Sequence, residues 1–279
     1  MRTSPPRLLW LVAAVSLGLG SAALPARAAI LTLQNGLNGY NGTEDTYLEK
    51  GNGADDFNWG ESERLVVFNR SSRDTNPLLR FDFSSLPEIT AVNGATLYLT
   101  TAFLGRGEIP GVRPPTSGPG RINLYPITQD DQDWVGGAGN GAVVAGTSTF
   151  NDKRNPSVDW SNGVTDDRTG NVDLGSEITN AAMANEGQEA VFDLDSATAL
   201  LFDWIQNPGN NAGFLFASDL QEEFFPNNGW HSSEAPIQSF RPRLVLDVEL
   251  AQTPVPEPTT LLLVAPLIAL LLWRRRRGK

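Results

Sequence analysis

The chain has 279 residues, a single histidine, no cysteine and a formal net charge of −11 at pH 7. Without cysteine it has no disulfide bonds, no thiol nucleophile and no cysteine zinc site. Its acidity argues against nucleic acid and anionic membrane surfaces as partners, because both repel a negatively charged protein.

The first 28 residues have the three parts of a secretory signal peptide. They begin with basic residues, continue with an apolar run over residues 8–20, and end with the small-x-small sequence at 26–28. We therefore expect a signal peptidase to cut between Ala28 and Ala29. A permanent N-terminal anchor is the alternative, which the short apolar run disfavours.

Residues 29–250 are expected to form one all-β domain, because runs of β-branched and aromatic residues alternate with turn-forming residues. Leu79, Phe81 and Phe83 alternate with Arg80 and Asp82, the pattern of a strand with one buried face. Short strands with long connections indicate a β-sandwich or jelly roll. The predicted strands are Ile30–Leu33, Thr46–Leu48, Arg64–Phe68, Pro77–Phe83, Ala95–Ala102, Arg121–Pro126, Glu189–Asp193, Gly213–Ala217 and Arg241–Leu250.

One segment of the body has helical periodicity. Asp195 or Ser196 is expected to cap a short helix, and residues 207–209, Asn-Pro-Gly, would end it. We expect this helix to close one end of the sandwich, with its apolar side chains against the core. Those side chains are Leu200, Leu201, Trp204 and Ile205.

Two insertions, residues 105–120 and 134–178, are long for a compact domain. Loops of this length are usually either functional or mobile, and the sequence leaves both readings open. Within the second insertion, residues 136–141 are GGAGNG but do not join a strand to a helix. We therefore expect a flexible loop there rather than a nucleotide-binding one.

Several short motifs follow one another along the body. They are Asp45–Leu48, Asn58–Gly60, Leu78–Pro87, Gly94–Leu99, Ile122–Thr128 with Trp134 behind it, Trp204 ahead of Asn211–Leu215, Ser233-Glu234 and Arg241–Leu246. Their order resembles that of DNRLRE-type domains over nearly all of the body. The resemblance implies an extracellular jelly-roll-like β-sandwich of the kind found in carbohydrate-binding modules, and some relatives bind polysaccharide. The chain departs from the family pattern in the expanded 134–178 region.

The sequence offers little for catalysis. His231 has no G-x-S-x-G partner and lies in a predicted loop, residues 227–234, so a Ser-His-Asp triad is not expected. Paired carboxylates are frequent, but a glycosidase needs two that converge across a cleft, and sequence spacing does not show convergence. We expect a non-enzymatic protein, with a polysaccharide-active enzyme as the least favoured alternative.

Two tryptophans lie in polar stretches where an indole ring could stack on a sugar. Trp59 is one of them, between Asn and Gly. Trp230 is the other, and the nearby His231 and Glu234 offer polar groups to sugar hydroxyls. The alternative is that both rings are core or loop anchors.

Calcium is the one cofactor that the sequence suggests. Asp45 follows the first predicted strand and Asp247 lies on the last one, so the two would approach each other if the ends of the body pair in a sheet. Carboxylates are ligands that Ca²⁺ prefers. No EF-hand loop is present, and simple solvation of both carboxylates is the alternative.

The end of the chain, residues 251–279, has three ordered parts. A PEP triplet precedes an apolar run from Leu261 to Trp273, and a basic cluster follows. As a helix the run would be about 20 Å long, shorter than the ~30 Å core of a bilayer, and the cluster would stay in the cytoplasm. The triplet is Pro256, Glu257 and Pro258, and the cluster is Arg274, Arg275, Arg276 and Arg277.

This arrangement resembles the PEP-CTERM sorting signal; an ordinary C-terminal anchor is the alternative. The resemblance implies recognition by an exosortase, transient anchoring in the inner membrane, removal of the tail and export to the surface or matrix of a Gram-negative bacterium that makes exopolysaccharide. Together the two resemblances predict an exported, non-enzymatic protein that binds or organises exopolysaccharide. A purely structural or adhesive matrix protein that makes protein contacts is the alternative.

Overall fold

The computed structural model describes residues 27–51, 53–70, 73–102, 121–161, 172–182, 184, 186–218 and 228–251. The predictions for Pro256–Pro258, for the apolar run and for Arg274–Arg277 lie outside the described residues. Within the described ranges, no helix is long and apolar enough to cross a membrane.

Strands dominate the described part of the chain, and the predicted all-β class with one short helix is confirmed. The helix is α1 (Thr198–Gln206). All nine predicted strands are found. Arg121–Pro126 and Glu189–Asp193 have the predicted bounds, and the other seven differ at one or both ends. Four short polar strands were missed because they lack runs of β-branched residues, namely Asp152–Arg154, Val158–Asp159, Thr179–Ala182 and Asn228–His231. The strands are β1 (Arg27–Leu33), β2 (Thr43–Lys50), β3 (Arg64–Arg70), β4 (Arg73–Phe81), β5 (Ile89–Thr100), β6 (Arg121–Pro126), β7 (Asp152–Arg154), β8 (Val158–Asp159), β9 (Thr179–Ala182), β10 (Glu189–Asp193), β11 (Phe214–Ser218), β12 (Asn228–His231) and β13 (Arg243–Leu250).

The first sheet has the antiparallel order β1-β13-β5-β10. β1 and β13 pair along their whole length, with Leu33 opposite Leu244. The two ends of the described segment therefore pair in one sheet, which was the condition for the calcium prediction. The predicted cleavage site also lies on β1, where Ala28 is opposite Glu249 and Ala29 is opposite Val248. A cut between them would leave Ala29 and the rest of β1 in the sheet.

The second sheet has the order β12-β3-β4-β11-β6-β9, and β2 pairs with the other side of β4. The side chains of alternate residues point to one face of each strand, so both sheets bury apolar side chains in a shared core. We call this the inter-sheet core. The first sheet contributes Leu97, Leu99, Phe192, Leu244 and Leu246, and the second contributes Leu79, Phe81, Leu124, Phe214 and Phe216.

The second insertion covers the outer face of the second sheet. Leu78 follows the opposite parity to Leu79 on β4 and lies in a separate apolar cluster, which we call the insertion core. The insertion brings its own large side chains to this cluster. They are Trp134, Phe150, Trp160 and Val172, and they pack with Leu48, Leu78, Leu215 and Ala217. Both cores therefore lie within residues 27–251, which form one compact unit with the packing needed to fold alone.

Residues 136–141 form an irregular loop, as expected, and a buried amide anchors this loop to the rest of the body. The side-chain Nδ2 of Asn58 donates to the carbonyls of Gly136 (2.6 Å) and Ser148 (2.9 Å). Its Oδ1 accepts from the N–H groups of Gly139 (2.8 Å) and Gly60 (3.2 Å). Asn58 is fully buried, and these hydrogen bonds hold the loop against the segment between β2 and β3.

Helix α1 packs Leu201 and Trp204 into the inter-sheet core and ends before Pro208, as predicted. The predicted N-cap is wrong. A 3-10 turn over residues 195–197 precedes the helix, and no side chain caps it. Asp195 instead accepts a hydrogen bond from the backbone N–H of Ala95 on β5 (3.0 Å), so a tertiary contact replaces the local one.

Candidate functional site

The prediction that Trp230 offers its ring to a sugar is wrong. Trp230 lies on β12, is 0% exposed, and packs in the inter-sheet core. Its ring centroid lies 5.8 Å from that of Phe192 and 5.2 Å from that of Phe216. Among its polar neighbours, Ser232 and Ser233 are also buried, so the polar context did not indicate exposure of the ring.

The neighbours predicted to assist Trp230 lie nearer the surface. His231 is on β12 rather than in a loop, and its ring lies 4.8 Å from that of Phe240. Burial and the nearby charge of Arg64 lower the pKa of His231 below its usual value. Glu234 is exposed. With Trp230 buried, these two residues have no stacking platform between them.

Trp59 is half-buried and already stacked. Its ring lies parallel to that of Tyr47, with centroids 4.9 Å apart and planes inclined by 15°. Gly141 approaches the far end of the indole so closely that a Cβ there would lie 2.7 Å from Cη2. One face of the ring is therefore occupied by the protein, and sugar stacking by Trp59 stays a prediction.

The two predicted calcium ligands lie on different sheets. Asp45 is on β2 of the second sheet, 3% exposed, and accepts a hydrogen bond from the N–H of Ser233 (2.7 Å). Asp247 is on β13 of the first sheet, opposite Ile30 and Gly94. The structure does not bring the two carboxylates together. Among the described residues, no three His, Asp or Glu side chains group as metal ligands.

Burial raises the pKa of Asp45 to about 7. The hydrogen bonds from Ser233 oppose this rise, and the charges of Glu234 and Glu44 add to it. One oxygen of the carboxyl group, Oδ1, has no hydrogen-bond partner among the described residues. Asp45 is thus a buried acid whose raised pKa leaves it partly protonated near neutral pH.

A polar cleft opens at one end of the second sheet. Strands β4 and β6 end there and strands β2 and β11 begin there, because neighbouring antiparallel strands run in opposite directions. The cleft has a volume of about 450 Å³, in the range of small-ligand sites. Its lining consists of Gly42, Glu44, Arg80, Asp82, Gln132, Asp133, Pro208, Gly209 and Asn211.

Arg80, near the end of β4, joins the walls of the cleft. Its Nη1 donates to the carbonyl of Gln132, and its Nη2 to the carbonyl of Trp134 (3.2 Å) and the carboxylate of Glu44. The guanidinium carbon lies 4.6 Å from the centroid of the Trp134 ring. The other oxygen of Glu44 accepts from the N–H of Gly136 (2.7 Å). Both terminal nitrogens of Arg80 therefore point at protein oxygens.

Trp134 and Gly213 position the remaining wall. The buried indole of Trp134 donates from Nε1 to the carbonyl of Ala212 (2.6 Å), which ties the insertion to the segment before β11. Gly213 has a φ of +78°, and a Cβ there would lie 2.6 Å from the carbonyl oxygen of Leu79. Only glycine lets this segment cross so close to β4 and bring Asn211 to the cleft.

The lining contains hydrogen-bond acceptors whose capacity the described residues leave unfilled. Asn211 is 8% exposed and donates from Nδ2 to the carbonyl of Phe81 (2.7 Å), while its Oδ1 has no partner among the described residues. The Oε1 atom of Gln132 likewise has none. The exposed carboxylate of Asp82 accepts from the N–H (2.8 Å) and hydroxyl (2.7 Å) of Ser84 and keeps acceptor capacity.

Asp133 is held in its charged form. It pairs with Nζ of Lys153 (2.9 Å) and Nη2 of Arg154 (3.1 Å). Burial alone would raise the pKa of Asp133, but the Lys153 hydrogen bond and the two positive charges outweigh it and hold the pKa below its usual value. The group can therefore accept hydrogen bonds but is poorly suited to donate a proton near neutral pH.

Sequence reasoning missed this cleft, although it named the motifs that contain Arg80 and Asn211. The one local signal was Arg80, a charged residue inside an apolar strand. No protein-family model matches the chain, and no curated protein matches it.

Proposed function

We propose that the protein is an exported, non-enzymatic surface or matrix protein that binds polysaccharide in the cleft beside Arg80. The body is, in this proposal, a jelly-roll-like β-sandwich of the carbohydrate-binding-module type. The observation that carries the proposal is the acceptor-rich lining, above all the buried Asn211 Oδ1 that has no partner among the described residues. Sugar hydroxyls are donors that would complete such a lining.

The chemistry of the cleft argues for binding rather than hydrolysis. Glycoside cleavage needs one carboxyl group as acid and a second as base or nucleophile. Glu44 is engaged by Arg80 and by the N–H of Gly136, and the pKa of Asp133 is lowered by its cationic partners. These carboxylates suit fixed acceptors better than proton donors.

The resemblance of the two chain ends to export signals supports the rest of the proposal. A signal peptidase would cut between Ala28 and Ala29, and an exosortase would act on the tail at Pro256–Pro258. The inner membrane would hold the tail transiently through residues 261–273. The body would then reach the surface or matrix of a Gram-negative cell, where exopolysaccharide is the expected partner.

The alternative, a structural or adhesive protein, draws support from the outer face of the first sheet. Ile30 on β1 is 65% exposed and Val191 on β10 is 50% exposed. Pairing places them on the same face as Asp247 and Arg243, respectively. Apolar side chains on an open sheet face suit protein contacts.

Affinity electrophoresis of residues 27–251 through gels that contain the host's exopolysaccharide tests the proposal. We expect saturable retardation that Asp82→Ala weakens and the matched change Glu249→Ala, on the first sheet, leaves unchanged. Repeating the gel with calcium and with chelator tests the metal prediction. Free migration in both gels would contradict polysaccharide binding and favour the structural alternative, and release of sugar products would reveal an enzyme.

A further inference from the structure

We infer that the cleft selects a glycan whose sugar units carry a free, protonated amine. This inference rests on the proposed function and narrows it from polysaccharide in general to a polymer that contains hexosamine units without N-acetyl groups. Three properties of the cleft lead to this inference. Its cations already bind protein oxygens, some of its hydrogen-bond acceptors have no partner among the described residues, and its lining is negatively charged.

The cations around the cleft are directed at protein oxygens. Arg80 points both terminal nitrogens at the carbonyls of Gln132 and Trp134 and at Glu44. Lys153 donates to the carbonyl of Asp130 (2.7 Å) and pairs with two aspartates. A uronate or sulfate group on a sugar needs donors and positive charge. The cleft would have to break existing ion pairs to supply them.

The acceptors, in contrast, include two that have no protein partner among the described residues. Oδ1 of Asn211 and Oε1 of Gln132 are buried without a partner among the described residues, and Asp82 is an exposed carboxylate. A buried amide oxygen without a donor is unfavourable, so a ligand that brings a donor relieves a cost already present. An ammonium group brings three donors and no acceptor, which matches this lining better than a hydroxyl group does.

The charge of the cleft also favours a protonated amine. The lining has three carboxylates, Glu44, Asp82 and Asp133, and one guanidinium, Arg80. The chain as a whole has a formal net charge of −11. Such a field attracts cations and repels polyuronates. N-acetylation of the amine would remove its charge and place a carbonyl oxygen among the acceptors of the cleft.

Short oligosaccharides of defined acetylation separate this selectivity from general attraction between a polycation and an acidic protein. The probes are glucosamine tetramer, its fully N-acetylated form and a tetramer of uronic acid, titrated calorimetrically into residues 27–251 at pH 6. The tail is omitted because its arginine cluster would itself bind uronates. We expect the free-amine tetramer to bind at least about tenfold more tightly than the acetylated one, and this ratio to shrink with added salt.

Two variants test whether the free-amine tetramer binds in the cleft. Asp82→Asn should weaken binding of the free-amine tetramer, whereas Glu249→Gln removes the same charge from the other sheet and should not; thermal melts check that both fold. Equal weakening by both variants would reduce the effect to the overall charge of the protein and overturn the inference. In the unchanged protein, the side-chain amide resonances of Asn211 should shift on titration, and a lack of shift during binding would also overturn it.

The outcomes distinguish this inference from the proposed function. Equal or tighter binding of the acetylated or uronate tetramer would overturn the amine selectivity and leave polysaccharide binding in place. Absence of binding by all three tetramers would overturn the selectivity, and the gel with the host's own polymer then decides the proposed function separately.

Discussion

The two faces of the second sheet are covered in different ways. The inter-sheet core is a continuous apolar layer to which both sheets contribute. The insertion core is smaller, and two of its tryptophans also make hydrogen bonds, from Trp134 to the carbonyl of Ala212 and from Trp160 to that of Thr149. The inter-sheet core stabilises the fold through the burial of apolar side chains. The insertion core also positions polar groups, and the cleft lies at the margin of this core.

The sharpest test of this difference compares two buried tryptophans. Trp134→Ala and Trp230→Ala should each lower the free energy of unfolding by about 3–5 kcal/mol, because each empties a large buried volume. Under conditions where both variants are folded, only Trp134→Ala should abolish glycan binding, since Trp134 supports Arg80 and the wall before β11. Urea unfolding and affinity gels measure the two effects. Loss of binding in folded Trp230→Ala would contradict the division of roles.

The pH dependence of stability tests Asp45, a buried acid on β2. The pKa of Asp45 is about 7 in the folded protein and 3.8 as the ordinary value. Between these values the folded state keeps a proton that the unfolded state has lost, so the free energy of unfolding falls as pH rises from about 4 to 7 and is level above that. We expect a contribution on the order of 2–4 kcal/mol.

Asp45→Asn isolates this contribution. The variant should be more stable than the unchanged protein at pH 8, by an amount that vanishes towards pH 4, because the amide never ionises. Chemical unfolding at several pH values measures the difference. A constant difference across this range would show that Asp45 does not titrate with a raised pKa.

Asn58 tests how the insertion is held. Asn58→Ala should lower the free energy of unfolding by about 1–3 kcal/mol, since it leaves buried N–H and carbonyl groups of the 136–148 segment without partners. Amide hydrogen exchange should quicken at Gly139 and remain slow in β5, which lies on the other sheet. Equal quickening in both places would indicate that the insertion and the inter-sheet core unfold as one unit.

The smallest expected effect concerns the ion pair at the cleft. Glu44→Gln removes the charge that faces Arg80, but the two side chains are 37% and 20% exposed, so solvent weakens their attraction. We expect a loss of about 0.5–1 kcal/mol in low salt that shrinks in 1 M salt. A loss that salt leaves unchanged would show that packing, rather than charge, accounts for it.

Sequence periodicity predicted individual elements that line the inter-sheet core. The alternation of Leu79 and Phe81 located β4, and the spacing of Leu201 and Trp204 located α1. Trp230 was misassigned because its strand, Asn228–His231, is short and polar, so its neighbours gave no sign of burial. A tryptophan in a polar context can be buried when the fold places it over a core.

The cleft was beyond sequence reasoning for a different reason. Its walls come from residues 42–44, 80–82, 132–133 and 208–211, which are distant along the chain. They meet because β2, β4, β6 and β11 begin or end at the same edge, and strand order is not encoded in local periodicity. The unpaired acceptor on Asn211 follows from the close crossing at Gly213, which is also a tertiary feature.

The pairing of β13 with strands on both sides has a mechanical consequence. If the protein is tethered through its C-terminal end while a polymer pulls on the cleft, the load enters at Leu250 and runs along β13. A strand pulled lengthwise loads its ladder hydrogen bonds in shear, so that many must break together. The bonds to β1 and to β5 share this load along the whole strand. Under that condition, β13 would resist traction at the C-terminal end of the described body.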